Sequence, residues 1–249
     1  MRDLQKQYDT ALLQQGLRQF SLSAGNTEIC QFLRYYELLT EWNSFMNLTA
    51  ITGFPEVVTK HFIDSLSLAS CMDLSQTKTM IDLGTGAGFP GIPLKIMFPH
   101  LRVTLLDSLK KRLQFLETVV AELGLTDVEL IHGRAEDFAK LADYREKYDL
   151  CVSRAVANLS TLSEYCIPFV TIGGTFAAYK SEKGEQEAAA SRKVITLLGG
   201  SIEKQTDFRL PETELCRTMI LIKKTKATPL KYPRKAGLPA KEPLGESLR

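Results

Sequence analysis

The stretch that most constrains what this chain can fold into is residues 80–93, MIDLGTGAGFPGIP. Met80, Ile81, Asp82 and Leu83 read as a short buried strand. Gly84, Gly86, Gly88 and Gly91 follow at once, and Ile92 and Pro93 open an apolar helical run. Glycine tolerates positive φ and lets a ligand come close to the backbone, so strand, glycine turn and helix predict an α/β unit with a nucleotide-type pocket over the turn.

The residues downstream extend that unit into a sheet. Strand patterns at 79–83, 102–107, 128–132, 148–153 and 174–179 alternate with helical patterns at 91–98, 110–123, 136–141, 159–169 and 185–198. This rhythm predicts parallel strands with helices on both faces. Two further strands, 201–208 and 215–224, are joined by Arg209, Leu210, Pro211 and Glu212, too short a link for a crossover helix, so they must pair antiparallel. The expected fold class is a Rossmann-like α/β sheet of seven strands, five parallel and then a C-terminal hairpin, which is the arrangement of the common class I methyltransferases.

Before the sheet the chain is helical. A weakly amphipathic run over 4–20 is broken by Ser23, Ala24, Gly25 and Asn26, and a second helix starts at Thr27 with Ile29, Phe32, Leu33, Tyr36, Leu39 and Trp42 on one face. Those aromatics read as a core stripe. A third helix starts near Pro55. The predicted organisation is a helical extension over 1–75, the α/β domain over 76–226 and a basic arm containing Pro and Gly over 227–249. With 249 residues, 44% of them hydrophobic, such a chain can bury a full core.

Charge and cysteine usage narrow the setting. The net charge is only +2, yet Lys223, Lys224, Lys226, Lys231, Arg234, Lys235 and Lys241 follow one another with no acidic residue between them. Such a run can bind phosphates or simply be a solvated tail. Five cysteines without C-x-x-C spacing favour reduced thiols in the cytoplasm over a disulfide frame or zinc site. The N-terminus is too polar for a signal peptide, and the longest apolar stretch is broken by Pro168, Gly173 and Gly174, so no membrane span is expected. His61, His100 and His132 fall on different elements, which argues against a metal triad.

Two ligand patterns overlap at the glycine turn. Residues 86–91 satisfy G-x-G-x-x-G, the dinucleotide fingerprint, while residues 82–88 fit the D-x-G-x-G-x-G of methyltransferases; a lone glycine triad decides little. Asp107 ends the second strand 21 positions after Gly86, where it could accept both ribose hydroxyls of either ligand. Pro90 and Pro93 each remove a helix-start N–H that a pyrophosphate would need. A dehydrogenase usually spends a further domain on its substrate, whereas the elements expected here are a hairpin and a basic arm, so S-adenosylmethionine ranks above NAD(P), and a structural turn without a ligand ranks below both. Asp82 is read as ordering the turn and the donor's amino-acid moiety, or as a strand-end cap. Ala135 and Glu136, after the third strand, stand where an adenine amine could be met, although Glu136 alone is equally a helix-start charge. Arg154 ends the fourth strand; being permanently charged, it points to positioning rather than base catalysis.

Taken in order, these segments resemble one family. NLTAI (47–51), KHFIDSL (60–66), DLGTGAGFPGIPL (82–94), TLLDSLKKRLQFL (104–116), GRAED (133–137), SRAVA (153–157) and KYPRKAGLPAKEPL (231–244) are similar to the RsmG, or glucose-inhibited division protein B, 16S ribosomal RNA guanine-N7 methyltransferases. The resemblance implies S-adenosylmethionine as cofactor, with a donor site at Gly84, Phe89, Ala135, Glu136 and Arg154 and with Asp107 on the ribose. Its target is then one guanine in the decoding-region loop of 16S ribosomal RNA in the small subunit. Guanine N7 offers an in-plane lone pair and has no proton to lose, so no general base is expected, only positioning, in which Arg154 takes part. Gly86 and Gly88 belong to the expected donor turn, Lys231, Arg234, Lys235 and Lys241 to the expected RNA contacts, and the chain is expected to be a monomer. An NAD(P)-dependent oxidoreductase and a non-catalytic RNA- or donor-binding protein remain the alternatives.

Overall fold

A computed structural model describes residues 7–154, 157–182 and 184–245. Seven strands form one sheet: β1 Thr79–Leu83, β2 Arg102–Asp107, β3 Val128–His132, β4 Tyr148–Arg154, β5 Val170–Lys180, β6 Gly200–Arg209 and β7 Cys216–Lys224. Their order is β3-β2-β1-β4-β5-β7-β6. The first five run parallel, and β7 returns antiparallel between β5 and β6. The order reverses between β1 and β4, so a crevice opens over the carboxyl ends of these two strands.

Alternation along the strands builds a core on each face. Ile81, Leu83, Cys151, Phe176, Ala178, Ile220 and Ile222 face one cluster, with Leu159 and Leu162 of α6 (Leu159–Cys166) and Val194 and Ile195 of α7 (Gly184–Leu197). Met80, Leu150, Val152, Ala177, Tyr179, Met219 and Leu221 face the other. That second cluster also holds the N-terminal helices α1 (Ala11–Gln19) and α2 (Asn26–Met46), through Leu13, Leu17, Phe32, Leu33 and Tyr35. Residues 7–75 thus cover one face of the sheet, together with α3 (Gly91–Met97) and α4 (Lys110–Glu122).

The third predicted helix is a helical run over 54–70 whose middle, Val58–Ile63, is π-helical. Such wide turns recur at functional sites. The last helices are short, α5 at Ala135–Phe138 and α8 at Leu238–Lys241. Residues 227–245 lie against the body: Thr228, Tyr232 and Pro239 are buried, and Arg145 donates to the carbonyls of Thr228 and Tyr232 at 2.7 and 2.9 Å. Among the described residues no helix is long and apolar enough to cross a membrane.

Candidate active site

The glycine turn is held from below by Asp82. Its Oδ2 accepts from Thr85 Oγ1 at 2.7 Å and from the Gly91 N–H at 2.9 Å, while its Oδ1 is buried without a hydrogen-bond partner among the described residues. Burial raises its pKa to about 6, against the hydrogen bonds from Thr85 and Gly91, which lower it. Gly91 has to be glycine, because a Cβ there would stand 2.8 Å from Asp82 Oδ2. Asp82 is fully buried and shapes the turn from beneath.

The glycines divide the remaining work. Gly84 (φ 69°) donates to Leu106 O at 2.9 Å and lines two neighbouring cavities. Gly86 (φ 63°) leaves open space, since a Cβ there would meet nothing nearer than Gly84 O at 4.0 Å. Gly88 (φ 97°) faces inward instead, where a Cβ would be 2.6 Å from the Tyr35 hydroxyl, which itself donates to Ala87 O. The start of α3 has no N–H to offer a phosphate. Gly91 N donates to Asp82, Ile92 N to Gly88 O and Leu94 N to Pro90 O, and Pro93 has none. This removes the physical basis of the dinucleotide reading.

Asp107, 1% exposed, faces the cavity bounded by Gly84, Gly86, His61 and Arg154. Its Oδ2 accepts from Gly86 N at 2.9 Å and Arg112 Nη1 at 3.2 Å, and its Oδ1 from Leu109 N at 2.8 Å. A carboxylate has about four lone-pair sites, so roughly one stays open and the second must be yielded by Arg112. The adjoining cavity is lined by Gly84, Gly133, Ala135, Glu136, Tyr165 and Gly237. Glu136 is buried there and accepts the Gly237 N–H at 2.8 Å. The fit is to an adenosine ligand without phosphates: bare backbone at Gly84 and Gly86, a carboxylate beside the turn and, beyond it, a recess walled by Leu106, Ala135, Leu162 and Tyr165.

At the end of β4 three distant segments converge. Arg154 donates to Lys60 O and Asp64 Oδ2, both at 3.2 Å, and its Nη2 lies 3.3 Å from His61 Nδ1. Arg217 Nε takes the other Asp64 oxygen at 3.1 Å. The His61 ring stacks on Phe89 with centroids 4.6 Å apart, and Arg154 Cζ is 5.1 Å from the Phe89 centroid. His61 Nε2 meets Thr49 Oγ1 at 2.9 Å. Burial first, and the Arg154 charge second, lower the His61 pKa to about 4. A nitrogen facing a guanidinium must be the acceptor, so the proton of the neutral ring sits on Nε2. Sequence reasoning assigns no role to residues 61–64 and does not single out Arg217 or Thr49. The local signal is the motif pair NLTAI and KHFIDSL, whose elements meet only in three dimensions. Of SRAVA, Ala155 and Val156 lie outside the described residues.

The expected RNA contacts separate into two kinds. Lys231, Lys235 and Lys241 are open to solvent to differing degrees, whereas Arg234 donates through Nε and Nη2 to Glu164, which is fully buried. Lys224 is likewise internal, bonded to Ile167 O at 2.8 Å and Glu146 at 3.0 Å. Among the described residues no group of three or more His, Cys, Asp or Glu side chains could hold a metal ion.

Comparison with known proteins gives the same direction. A family model described as rRNA small subunit methyltransferase G (GidB) matches residues 28–216. A ribosomal RNA small subunit methyltransferase G of Lachnoclostridium phytofermentans is 50% identical over 236 residues, covering 95% of this chain and 98% of its own. One from a Geobacillus strain is 50% identical over 236 residues, covering 95% and 99%. The structure of TrmN from Thermus thermophilus shares the fold, with a TM-score of 0.50 at 13% identity over 67% of this chain and 53% of its own. Half-identity over nearly the whole length, with a family model spanning most of the chain, leads to one conclusion: the chain belongs to the ribosomal RNA small subunit methyltransferase G (GidB) family and is an S-adenosylmethionine-dependent methyltransferase.

Proposed function

We propose that this chain methylates N7 of one guanine in the decoding-region loop of 16S ribosomal RNA, acting in the cytoplasm as a monomer on the small ribosomal subunit or its RNA. The observation that carries this reading is that, among the described residues, the side chains beside Arg154 and Phe89 at the end of β4 are all committed and none is free to take a proton. The only His61 lone pair is directed at Arg154, Asp64 is shared by two guanidinium groups, and Tyr179 donates its hydroxyl to Ser65 O at 2.7 Å. Such a site suits a nucleophile that loses no proton on alkylation, and N7 is that nucleophile; an amine or hydroxyl would need a base.

Gly84, Gly86 and Asp107 are assigned to the ribose and amino-acid portions of the donor, with Ala135 and Glu136 at the adenine and Asp82 supporting the turn. When bound, S-adenosylmethionine supplies a methyl on a sulfonium, and the S–C bond pair returns to sulfur as the N7 lone pair forms the new N–C bond. Arg154 and Phe89 form the wall at which both reactants must meet. Phe89 and the stacked His61 exclude water, and Asp64 offsets the Arg154 charge, which would otherwise repel a sulfonium. Holding the reactants in line can contribute roughly 7–11 kcal/mol. Lys231, Lys235 and Lys241 are assigned to RNA phosphates. The test is transfer of labelled methyl from S-adenosylmethionine to small-subunit particles, followed by borohydride and aniline scission at N7-methylguanine. A single cleavage in the decoding-region loop is expected; label resistant to scission would reject the N7 reading.

A further inference from the structure

Three cavities stand in a row across the carboxyl edge of the sheet. The recess at Ala135 and Glu136 shares Gly84 and Ser108 with the cavity over the glycine turn, and that cavity shares His61 and Arg154 with a third, of about 580 Å³. If the first two hold the donor, the third lies past its reacting end, across the His61–Arg154 pair. Its walls include Ile51, Lys60, Tyr179, Lys180, Glu187 and Arg217. Its volume falls within the roughly 300–1,000 Å³ of small-molecule sites.

We propose that this third cavity seats the target guanine, extruded from its loop, with N7 toward the His61–Arg154 pair and the Watson–Crick edge read by Glu187. This rests on the N7 reading above. Side chains cannot enter the deep, narrow major groove of an RNA helix, where N7 lies, so a base methylated there has to be unstacked and taken into a pocket. The two edges of guanine then make different demands. N7 must face the donor unobstructed, while the opposite edge presents two kinds of donor, N1–H and the N2 amino group, which a carboxylate can accept together.

Among the described residues two carboxylates line the cavity, and one of them is available. Asp64 is 4% exposed and gives one oxygen to Arg154 and the other to Arg217. Glu187 is 29% exposed at its side chain, and both its contacts with described residues, the Lys180 ammonium and the Leu159 N–H, each at 2.8 Å, run through Oε2. Among the described residues Oε1 is therefore left to accept. Lys180 fixes the carboxylate and is itself anchored on Ala157 O at 2.5 Å. Adenine turns an unprotonated N1 toward such a carboxylate and is rejected, so the arrangement selects guanine through its edge rather than its size.

The test compares small-subunit particles reconstituted with guanosine or inosine at the target position; inosine keeps N7 and N1–H but lacks the N2 amino group. The wild-type protein should methylate guanosine about 10-fold or more faster in kcat/KM. Glu187→Gln should lose about 10- to 100-fold on guanosine, bring the guanosine-to-inosine ratio toward one, and bind S-adenosylmethionine in calorimetry as the parent does. Glu187→Asp should restore part of the preference. Equal wild-type rates on guanosine and inosine would overturn the proposal without recourse to any variant, as would a Glu187→Gln protein with the parent's ratio. If the wild-type protein forms no N7-methylguanine on any particle, the function proposed above fails first, and that outcome is distinct from lost discrimination.

Discussion

Gly237 donates its backbone N–H to Glu136 Oε1 at 2.8 Å, joining positions 101 residues apart at the rim of the cavity assigned to the adenine. The C-terminal segment is thus a wall of the cavity assigned to the donor as well as a basic surface. It is held by the buried Arg234–Glu164 pair and by Thr161 Oγ1 on Pro239 O at 3.1 Å. Deleting residues after Thr228 should weaken S-adenosylmethionine binding. A lost hydrogen bond to a carboxylate costs about 1.5–3 kcal/mol, or roughly 10- to 100-fold in Kd by calorimetry. Donor affinity equal to that of the full chain would disprove the wall.

The two jobs of that segment can be parted. Replacing Lys231, Lys235 and Lys241 together by Ala removes outward charge and leaves Arg234 and Gly237 in place. For every RNA phosphate that these lysines neutralise, the slope of log K against log salt should flatten by about 0.7 in the variant, with the donor Kd unmoved. An unaltered salt slope would show that the RNA lies elsewhere.

These two outcomes bear on how much is legible in the sequence. The bounds of β1, β2 and β3 can be read directly, because compact apolar runs end in Asp, Gly or a polar turn. β5 begins at Val170, four residues before the strand expected there, because Gly173 and Gly174 look like breakers; the β4 pairing absorbs them in an irregularity between Tyr148 and Leu150. The glycine turn is local and so is legible, including the loss of helix-start donors. Arg154 can be placed at a strand end, but its partners 90 and 93 positions earlier, Asp64 and His61, cannot be seen from spacing. Arg234 reads as part of a charge run, since nothing along the sequence reveals that Glu164 is buried under it.

Asp64 should matter more than its distance from the glycine turn suggests. It is the shared partner of Arg154 and Arg217 and is almost wholly buried. Asp64→Asn keeps the shape but leaves two neighbouring cations uncompensated, and breaking such a buried pair costs about 3–5 kcal/mol. The variant is expected to lose stability in urea titration and, where still folded, to bind S-adenosylmethionine, a cation, more weakly than its uncharged demethylated sulfur analogue. Equal losses for both ligands would remove the electrostatic role.

Two glycines of the turn should fail in different ways. Both have positive φ, so an alanine at either costs about 1–2 kcal/mol in backbone strain. Gly88→Ala also drives a methyl into Tyr35, Ile92 and Leu116, adding about 1–3 kcal/mol of overpacking. Gly86→Ala meets no side chain but enters the cavity assigned to the donor. The melting temperature should therefore fall further for Gly88→Ala, while Gly86→Ala should lose donor binding with the smaller thermal change. The reverse order would mean that the open side of Gly86 is not where the ligand lies.

Asp82 supplies a pH signature. Its folded pKa of about 6 stands above the 3.8 of an unperturbed carboxyl, chiefly through burial. A raised carboxyl favours folding only while it is protonated. Its contribution is complete below about pH 3.8, is lost as pH rises toward 6, and stays lost above that. A shift of about two units corresponds to roughly 3 kcal/mol. Asp82→Asn keeps an acceptor for Thr85 and Gly91 and cannot ionise, so the stability of the variant relative to the parent should rise by up to about 3 kcal/mol between pH 4 and pH 7. Every other titrating group is common to both chains and cancels in that difference. Urea titrations across this range decide the matter, and parallel curves for the two proteins would mean that Asp82 is ionised in the fold at no cost. Should the difference appear, the buried Oδ1, without a partner among the described residues, is the atom that destabilises the turn assigned to the cationic donor, and saturating S-adenosylmethionine should then shrink the gap.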